Sequence, residues 1–176
     1  MIRPVKKDDA SQIAGIYRPY CEDNCVSFEE VAPVAADIVG RIEKITKRLP
    51  YLVEERDGKV AGYVHASPHR EKAAYRWAVE TTVYVREDYH GKGIGRGLYT
   101  ELFRRLREQG IVKAYAGILV PNPASQGFHE SMGFTLVGIY RKVGFKLGEW
   151  RDVGWWELTL LPQTGKPAEP TLPTSK

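Results

Sequence analysis

A single mixed α/β domain, one central sheet flanked by helices, is the fold class this sequence predicts. Three observations carry it. From Val79 to Val85 apolar and polar residues alternate with a period of two, and a glycine-rich loop then leads into Leu98, Leu102 and Leu106 at helical spacing. Asp57-Gly58 sits between two runs rich in strand formers, a strong hairpin signal. Two more such runs, 134–145 and 152–160, close the ordered part of the chain. Hairpins on either side of a strand–loop–helix unit exclude the strict βαβ alternation of a doubly wound dinucleotide fold.

The elements follow in order. Residues 2–5 read as a short strand. Asp8 or Asp9 can cap a helix that carries Ile13, Ile16, Tyr17 and Tyr20 on one face. Pro33 suits the first turn of a second helix, where Val34, Ile38, Ile42, Ile45 and Leu49 recur every three or four residues until Pro50 stops it. A short strand is expected between these two helices. Residues 51–55 and 59–66 form the hairpin arms, and the helix after the glycine loop ends before Gly110. A strand at 111–119, a short helix at about 124–132 and the two closing strands complete a domain spanning 1–161. Residues 162–176 hold four prolines and almost no large apolar side chain, so a disordered Pro-rich tail is expected there.

Composition narrows the function classes. At 176 residues one domain is favoured, able to bury roughly 70% of its unfolded surface without disulfide or metal. No apolar run approaches the ~20 residues of a membrane span, and MIRPVKKDDA lacks the apolar core of a secretory signal, so a cytoplasmic protein without membrane contact is expected. Cys21 and Cys25 are too far apart for a redox CxxC and too few for a zinc site, so no metal is expected. The net charge of +4 comes from Lys and Arg scattered among Asp and Glu, with no basic stripe for nucleic acid. A modest positive field does suit a small polyanion.

The informative stretch is VYVREDYHGKGIGRG, residues 83–97, with Gly91, Gly93, Gly95 and Gly97 at alternate positions before a helix. Glycines let main chain approach a ligand, and a helix N-terminus offers unpaired N–H donors to a phosphate. A Walker A loop needs GK[ST], which Gly91-Lys92-Gly93 does not supply. GxGxxG fails too, because the sixth position is Arg96 counted from Gly91 and Leu98 counted from Gly93.

His90-Gly91-Lys92-Gly93-Ile94-Gly95 resembles the [QR]-x-x-G-x-[GA] pyrophosphate loop of the GNAT superfamily of N-acetyltransferases, with His90 in place of the usual Gln or Arg. Asn122-Pro123-Ala124-Ser125, followed by Met132-Gly133-Phe134, resembles the N-x-x-[AS]…GF segment of the same families, and the resemblance covers about residues 1–161. It implies acetyl-CoA as co-substrate. The pyrophosphate would lie on the main chain of Gly91, Lys92, Gly93, Ile94, Gly95 and Arg96, and the pantetheine arm on Val83, Tyr84 and Val85. Asn122 and Ser131 would also contact the coenzyme. WAVETTVYV, HESMGF and VGFKLGEWRDVGWWEL look more specifically like the phosphinothricin and methionine sulfoximine acetyltransferases. These acetylate the α-amine of small amino acids bearing a tetrahedral phosphorus or sulfur group, and the likeness implies a homodimer and a substrate-lining stretch at Ala73, Ala74 and Tyr75.

Such a reaction needs a base, because an amine near neutral pH is mostly protonated. Glu80, inside the matching WAVETTVYV segment, is the candidate. A main-chain N–H of residues 83–85 could stabilise the oxyanion. The departing thiolate benefits from a proton, and His129 stands seven residues after Asn122, where the wider superfamily often has a Tyr for that purpose. Arg70 and Arg76 are the nearest cations for a substrate carboxylate. Trp150, Trp155 and Trp156 could line a pocket or a subunit contact. Two other functions stay open on the residues alone: a protein N-terminal acetyltransferase with a peptide groove, and a basic binding module that kept the fold.

Overall fold

The computed structural model describes residues 1–173. Strand β1 (Ile2–Pro4) is followed by helices α1 (Ala10–Glu22) and α2 (Ala35–Thr46), then strands β2 (Tyr51–Arg56), β3 (Lys59–Pro68) and β4 (Ala78–Val85). Helix α3 (Ile94–Glu108), strand β5 (Lys113–Val120), helix α4 (Pro123–Ser131) and strands β6 (Thr135–Lys146) and β7 (Glu149–Thr159) complete the domain. One seven-stranded sheet runs β1-β2-β3-β4-β5-β7-β6. Every neighbouring pair is antiparallel except β4 and β5.

The period of two in β2 and β3 divides the core between the faces of the sheet. Leu52, Ala61, Val64 and Ala66 face α3, where Leu98, Tyr99, Leu102, Phe103 and Leu106 are buried. Val53, Val60 and Tyr63 face α1 and α2, against Ile13, Tyr17, Ile38 and Ile42. The β2–β3 turn is made as its residues demand: Asp57 and Gly58 both have positive φ, 50° and 71°.

Strands β4 and β5 pair only at Ala78↔Lys113, Val79↔Ala114 and Glu80↔Tyr115. Beyond that point β4 stays with β3 as far as Val85, while β5 follows β7 as far as Val120. The sheet therefore forks directly after Glu80, and main-chain groups on the inner edges of the fork have no strand partner.

Three expectations differ from the structure. No strand forms between α1 and α2, where residues 23–34 are irregular. This segment is held from outside: the Lys146 ammonium, on a residue only 3% exposed, donates to the carbonyls of Cys21, Ser27 and Glu29 at 2.6, 2.6 and 2.9 Å. Pro33 lies before α2 rather than in its first turn. The helix starts behind Val34, whose N–H is accepted by Asp37 Oδ2 at 3.0 Å. Helix α2 also ends at Thr46, short of Pro50.

Residues 162–173 adopt neither helix nor strand but run back over the domain. Glu169 pairs with Arg76 through two 2.7 Å bonds, and Trp77 Nε1 donates to the Ala168 carbonyl at 2.7 Å. Thr171 exchanges bonds with Gln109, accepting from Nε2 at 2.8 Å and donating to the main-chain oxygen at 2.9 Å. Residues 174–176 of the expected tail lie outside the described residues. Among the described residues no helix is long and apolar enough to cross a membrane, and no cluster of His, Cys, Asp and Glu could hold a metal ion.

Candidate active site

Two connected cavities occupy the fork and the groove beside it. The groove, about 520 Å³, runs along Val83–Val85, the glycine loop and the start of α4. The smaller cavity, about 90 Å³, lies between Thr81–Tyr84 of β4 and Ala116–Leu119 of β5. Val26, Val83, Tyr84, Asn122, Ser125 and His129 line both, so the groove opens into the fork.

The loop is shaped for close approach by an anion. Gly91 and Gly93 take φ of 72° and 78°, and nothing lies within 4 Å of where their Cβ atoms would be. An L side chain in that left-handed region is strained, which explains why glycine stands there. Gly93 caps α3 with no side-chain hydrogen bond, and no acidic residue occupies the first turn. The first amides of α3 thus face the groove with the positive end of the helix dipole behind them. Gly91, Gly93, Ile94, Gly95 and Arg96 line the groove. The Lys92 side chain turns over the Tyr89 ring at 5.0 Å, and Ser131 accepts from Arg96, which lines the groove, at 3.0 Å.

Val83, Tyr84 and Val85 reach the groove, but the Val85 carbonyl is already engaged by the Tyr20 hydroxyl at 3.0 Å and by His90 Nε2 at 2.9 Å. His90, the residue that departs from the family loop pattern, thus binds the loop's own strand. Asn122 caps α4, its Oδ1 accepting from Ser125 N at 3.2 Å, and so fixes the helix entry beside the loop.

His129 is 5% exposed and reaches both cavities. Nδ1 donates to the Ser125 carbonyl at 2.7 Å, so Nε2 accepts, from the Tyr99 hydroxyl at 2.9 Å. Tyr99 in turn meets Thr81 Oγ1 at 3.1 Å. Burial pushes the imidazole below its usual pKa, which keeps it neutral near pH 7.

Glu80 lines neither cavity. It stands at the crotch of the fork, paired across the sheet with Tyr115 and about one-third exposed, its side chain 31% accessible. Its Oε1 accepts from His69 Nδ1 and from the Arg70 guanidinium, both at 3.0 Å. His69 stacks on Tyr115 with ring centroids 4.5 Å apart and meets the edge of Tyr75 at 5.9 Å. Ala73, Ala74 and Tyr75 form one exposed 3₁₀ turn on this side. Ala74 and Tyr75 border a separate cavity of about 500 Å³ with Trp77, Tyr115 and tail residues. Of the two cations proposed for a substrate carboxylate, Arg70 is beside Glu80, whereas Arg76 is bound to Glu169 and leans over Trp77. Trp156 is core, 1% exposed, and Trp150 is on the surface, 60% exposed. His69, Tyr99 and Tyr115 carry no local sequence signal, because their partners are 11 to 34 residues away in the chain.

A fork in a mixed sheet, an anion-shaped loop at one of its arms and a carboxylate at its crotch define an acyl-CoA-dependent acyltransferase. The chain belongs to the GNAT acetyltransferase family, whose domain model matches residues 2–155. It is 36% identical to the phosphinothricin N-acetyltransferase of Streptomyces viridochromogenes, over 96% of this chain and 93% of that one. It is 39% identical to the L-methionine sulfoximine/L-methionine sulfone acetyltransferase of Salmonella typhimurium, over 63% of this chain and 65% of that one. The crystal structure of a phosphinothricin acetyltransferase from Sinorhizobium meliloti in complex with AcCoA superposes with a TM-score of 0.91 at 34% identity, covering 96% of this chain and 93% of that one.

Proposed function

We propose that this chain acetylates the α-amine of a small free amino acid or analogue, of the phosphinothricin, methionine sulfoximine or methionine sulfone type, with acetyl-CoA as donor. The observation that carries this reading is Glu80 at the crotch of the fork, with Arg70 beside it and the coenzyme groove opening from the other side. The substrates named for the relatives at 36–39% identity support it.

Bound acetyl-CoA supplies a thioester to attack. The chain does the rest. The amides of residues 91–96 hold the pyrophosphate, and Val83, Tyr84 and Asn122 guide the arm into the fork. Main chain left unpaired beyond Glu80 gives N–H donors to the carbonyl oxygen as negative charge develops on it. Glu80 takes the proton that frees the amine, Arg70 meets the substrate's α-carboxylate, and as the new C–N bond forms the thioester C–S bond breaks and coenzyme A leaves as the thiolate. His129, neutral and with its one N–H on the Ser125 carbonyl, is assigned to holding Tyr99 and α4 at the fork. A fall in kcat in His129→Phe, with stability and acetyl-CoA affinity intact, returns it to proton delivery to the thiolate.

A homodimer belongs to the same proposal. Strand β6 is a long open edge, and Leu136, Val137, Tyr140, Val143 and Phe145 on it, with Trp150 on β7, are more than half exposed. An apolar edge of that size needs a cover. Light scattering should give twice the 19.9 kDa chain mass. The cytoplasm is the compartment we assign, since Cys21 and Cys25 are both free thiols.

The test is kcat/KM for phosphinothricin, methionine sulfoximine, methionine sulfone, methionine and a short peptide, measured together. Sites that hydrogen-bond substrate oxygens reject analogues lacking them by large factors, so methionine should be a poor substrate and the peptide worse. Peptide acetylation equal to that of the analogues would refute the reading in favour of an N-terminal acetyltransferase.

A further inference from the structure

The hydrogen bonds on Glu80 are one-sided. Both donors, His69 Nδ1 and the Arg70 guanidinium, reach Oε1, and among the described residues no hydrogen bond reaches Oε2. The two donors are held very differently. Arg70 is 48% exposed and long enough to swing away, whereas the His69 side chain is 15% exposed. The His69 ring lies flat on Tyr115, with Tyr75 and Trp155 at its edges, 5.9 and 6.1 Å between centroids. Its main-chain N–H donates to the Ala78 carbonyl at 3.2 Å, which locks the residue beside the strand that carries Glu80.

We infer that His69 is a positioning residue for the base: its Nδ1–H pins Oε1 of Glu80 and leaves Oε2 as the oxygen that takes the proton from the substrate amine. This role rests on Glu80 being the base. A carboxylate free to rotate about its last bonds reaches the productive geometry only part of the time, and fixing it supplies part of the rate. Arg70 cannot do this alone, because an arriving substrate carboxylate competes for its guanidinium. His69 has no such second partner. Among the described residues the charged and titratable groups facing its ring are Glu80, Arg70, Tyr75 and Tyr115, and the carboxylate is the one acceptor its Nδ1 meets.

The experiment uses the full chain with phosphinothricin and acetyl-CoA. His69→Phe keeps the stack on Tyr115 and removes the donor. His69→Asn places an amide N–H near the position of Nδ1. The expected result is a roughly 10- to 100-fold loss of kcat/KM for the amine in His69→Phe, the size of a lost hydrogen bond to a charged group. The acetyl-CoA KM and the melting temperature should be unchanged, and His69→Asn should recover most of the loss. The deficit should shrink at high pH, where the amine is already free, and His69→Phe should add less than about threefold in a Glu80→Gln background, where the group it positions is gone. Wild-type kcat/KM in His69→Phe, an Asn variant as slow as Phe, or the same loss in both backgrounds would each overturn the role. Full activity and an unchanged pH profile in Glu80→Gln alone would overturn the base assignment itself, a different and separately visible failure.

Discussion

Lys146→Met should be among the most destabilising single changes in this domain. The ammonium is buried beneath the α1–α2 connection and satisfies three carbonyls, at Cys21, Ser27 and Glu29. Methionine fills the same length but donates nothing. A buried acceptor left unpaired costs about 1–3 kcal/mol, and the third carbonyl is only partly buried, so the total should be about 3–5 kcal/mol. For a chain of this size that corresponds to a fall of roughly 6–20 °C in Tm. Calorimetry of Lys146→Met beside Lys146→Arg measures it, with the Arg variant expected to lose less because it keeps a cation. Function should fall as well, because Val26, on the clamped segment, lines both the groove and the fork. Gly144→Ala attacks the same docking from another point, since a Cβ there would lie 2.2 Å from the Phe28 ring. A Tm within about 2 °C of wild type in Lys146→Met would show that the carbonyls find other partners and that the clamp is not what orders residues 23–34.

Gly93→Ala should weaken acetyl-CoA binding at least tenfold by calorimetry and cost about 1–2 kcal/mol through its left-handed φ; unchanged affinity in a folded variant would remove the loop from the coenzyme site. His65 packs between Tyr51 and Tyr63 with its Nδ1 unpartnered, and burial, with Arg41 nearby, pushes its pKa down to about 4. The unfolded chain therefore takes up this proton from about pH 6.5 and the folded one only near 4, so up to about 3 kcal/mol of stability is lost as pH falls through that window. His65→Phe should lessen the dependence of urea unfolding on pH between 6.5 and 4, and an identical slope in the variant would count against it. Ending the chain at Leu161 exposes Arg76, Trp77 and Gln109 to water, which replaces their tail partners, so Tm should stay within about 5 °C; a larger fall would make residues 162–173 part of the fold.

The groove along the glycine loop was legible because its parts are contiguous. Residues 83–97 run from strand through loop into helix, and the glycines at 91 and 93 sit where the backbone needs positive φ. Elements with a clean period, such as β4 and α3, were legible for the same reason. The supposed strand between α1 and α2 was not, because residues 23–34 are held by side chains rather than by a strand partner: Tyr17 and Arg41 nearby, and Lys146 more than 110 positions away. Propensity carries no information about such a partner. The contacts of the tail were equally hidden. Proline and polar residues signal the absence of helix or strand, which holds for 162–173, but not whether Glu169 finds Arg76.

The amine half is assembled differently, and this bears on how one fold changes substrate. His69 arrives from the end of β3, Glu80 from β4, Tyr115 from β5 and Trp155 from β7, and they meet only because the sheet order places β5 between β4 and β7. No local pattern announces such a cluster. The groove along the glycine loop is lined by none of these side chains. On the proposed reading a substitution at position 75 or 115 should therefore alter which amine is accepted while leaving the amides of 91–96 where they are. The reverse does not hold for Glu80. It stands one residue from Thr81, which the Tyr99 hydroxyl contacts on its way to His129, so the carboxylate is placed by the same strand whose Val83 and Tyr84 line both the groove and the fork. On the proposed reading the base is thereby tied to the strand that lines the groove, while Tyr75 and Tyr115 stand apart from it, a division set by where β4 and β5 part.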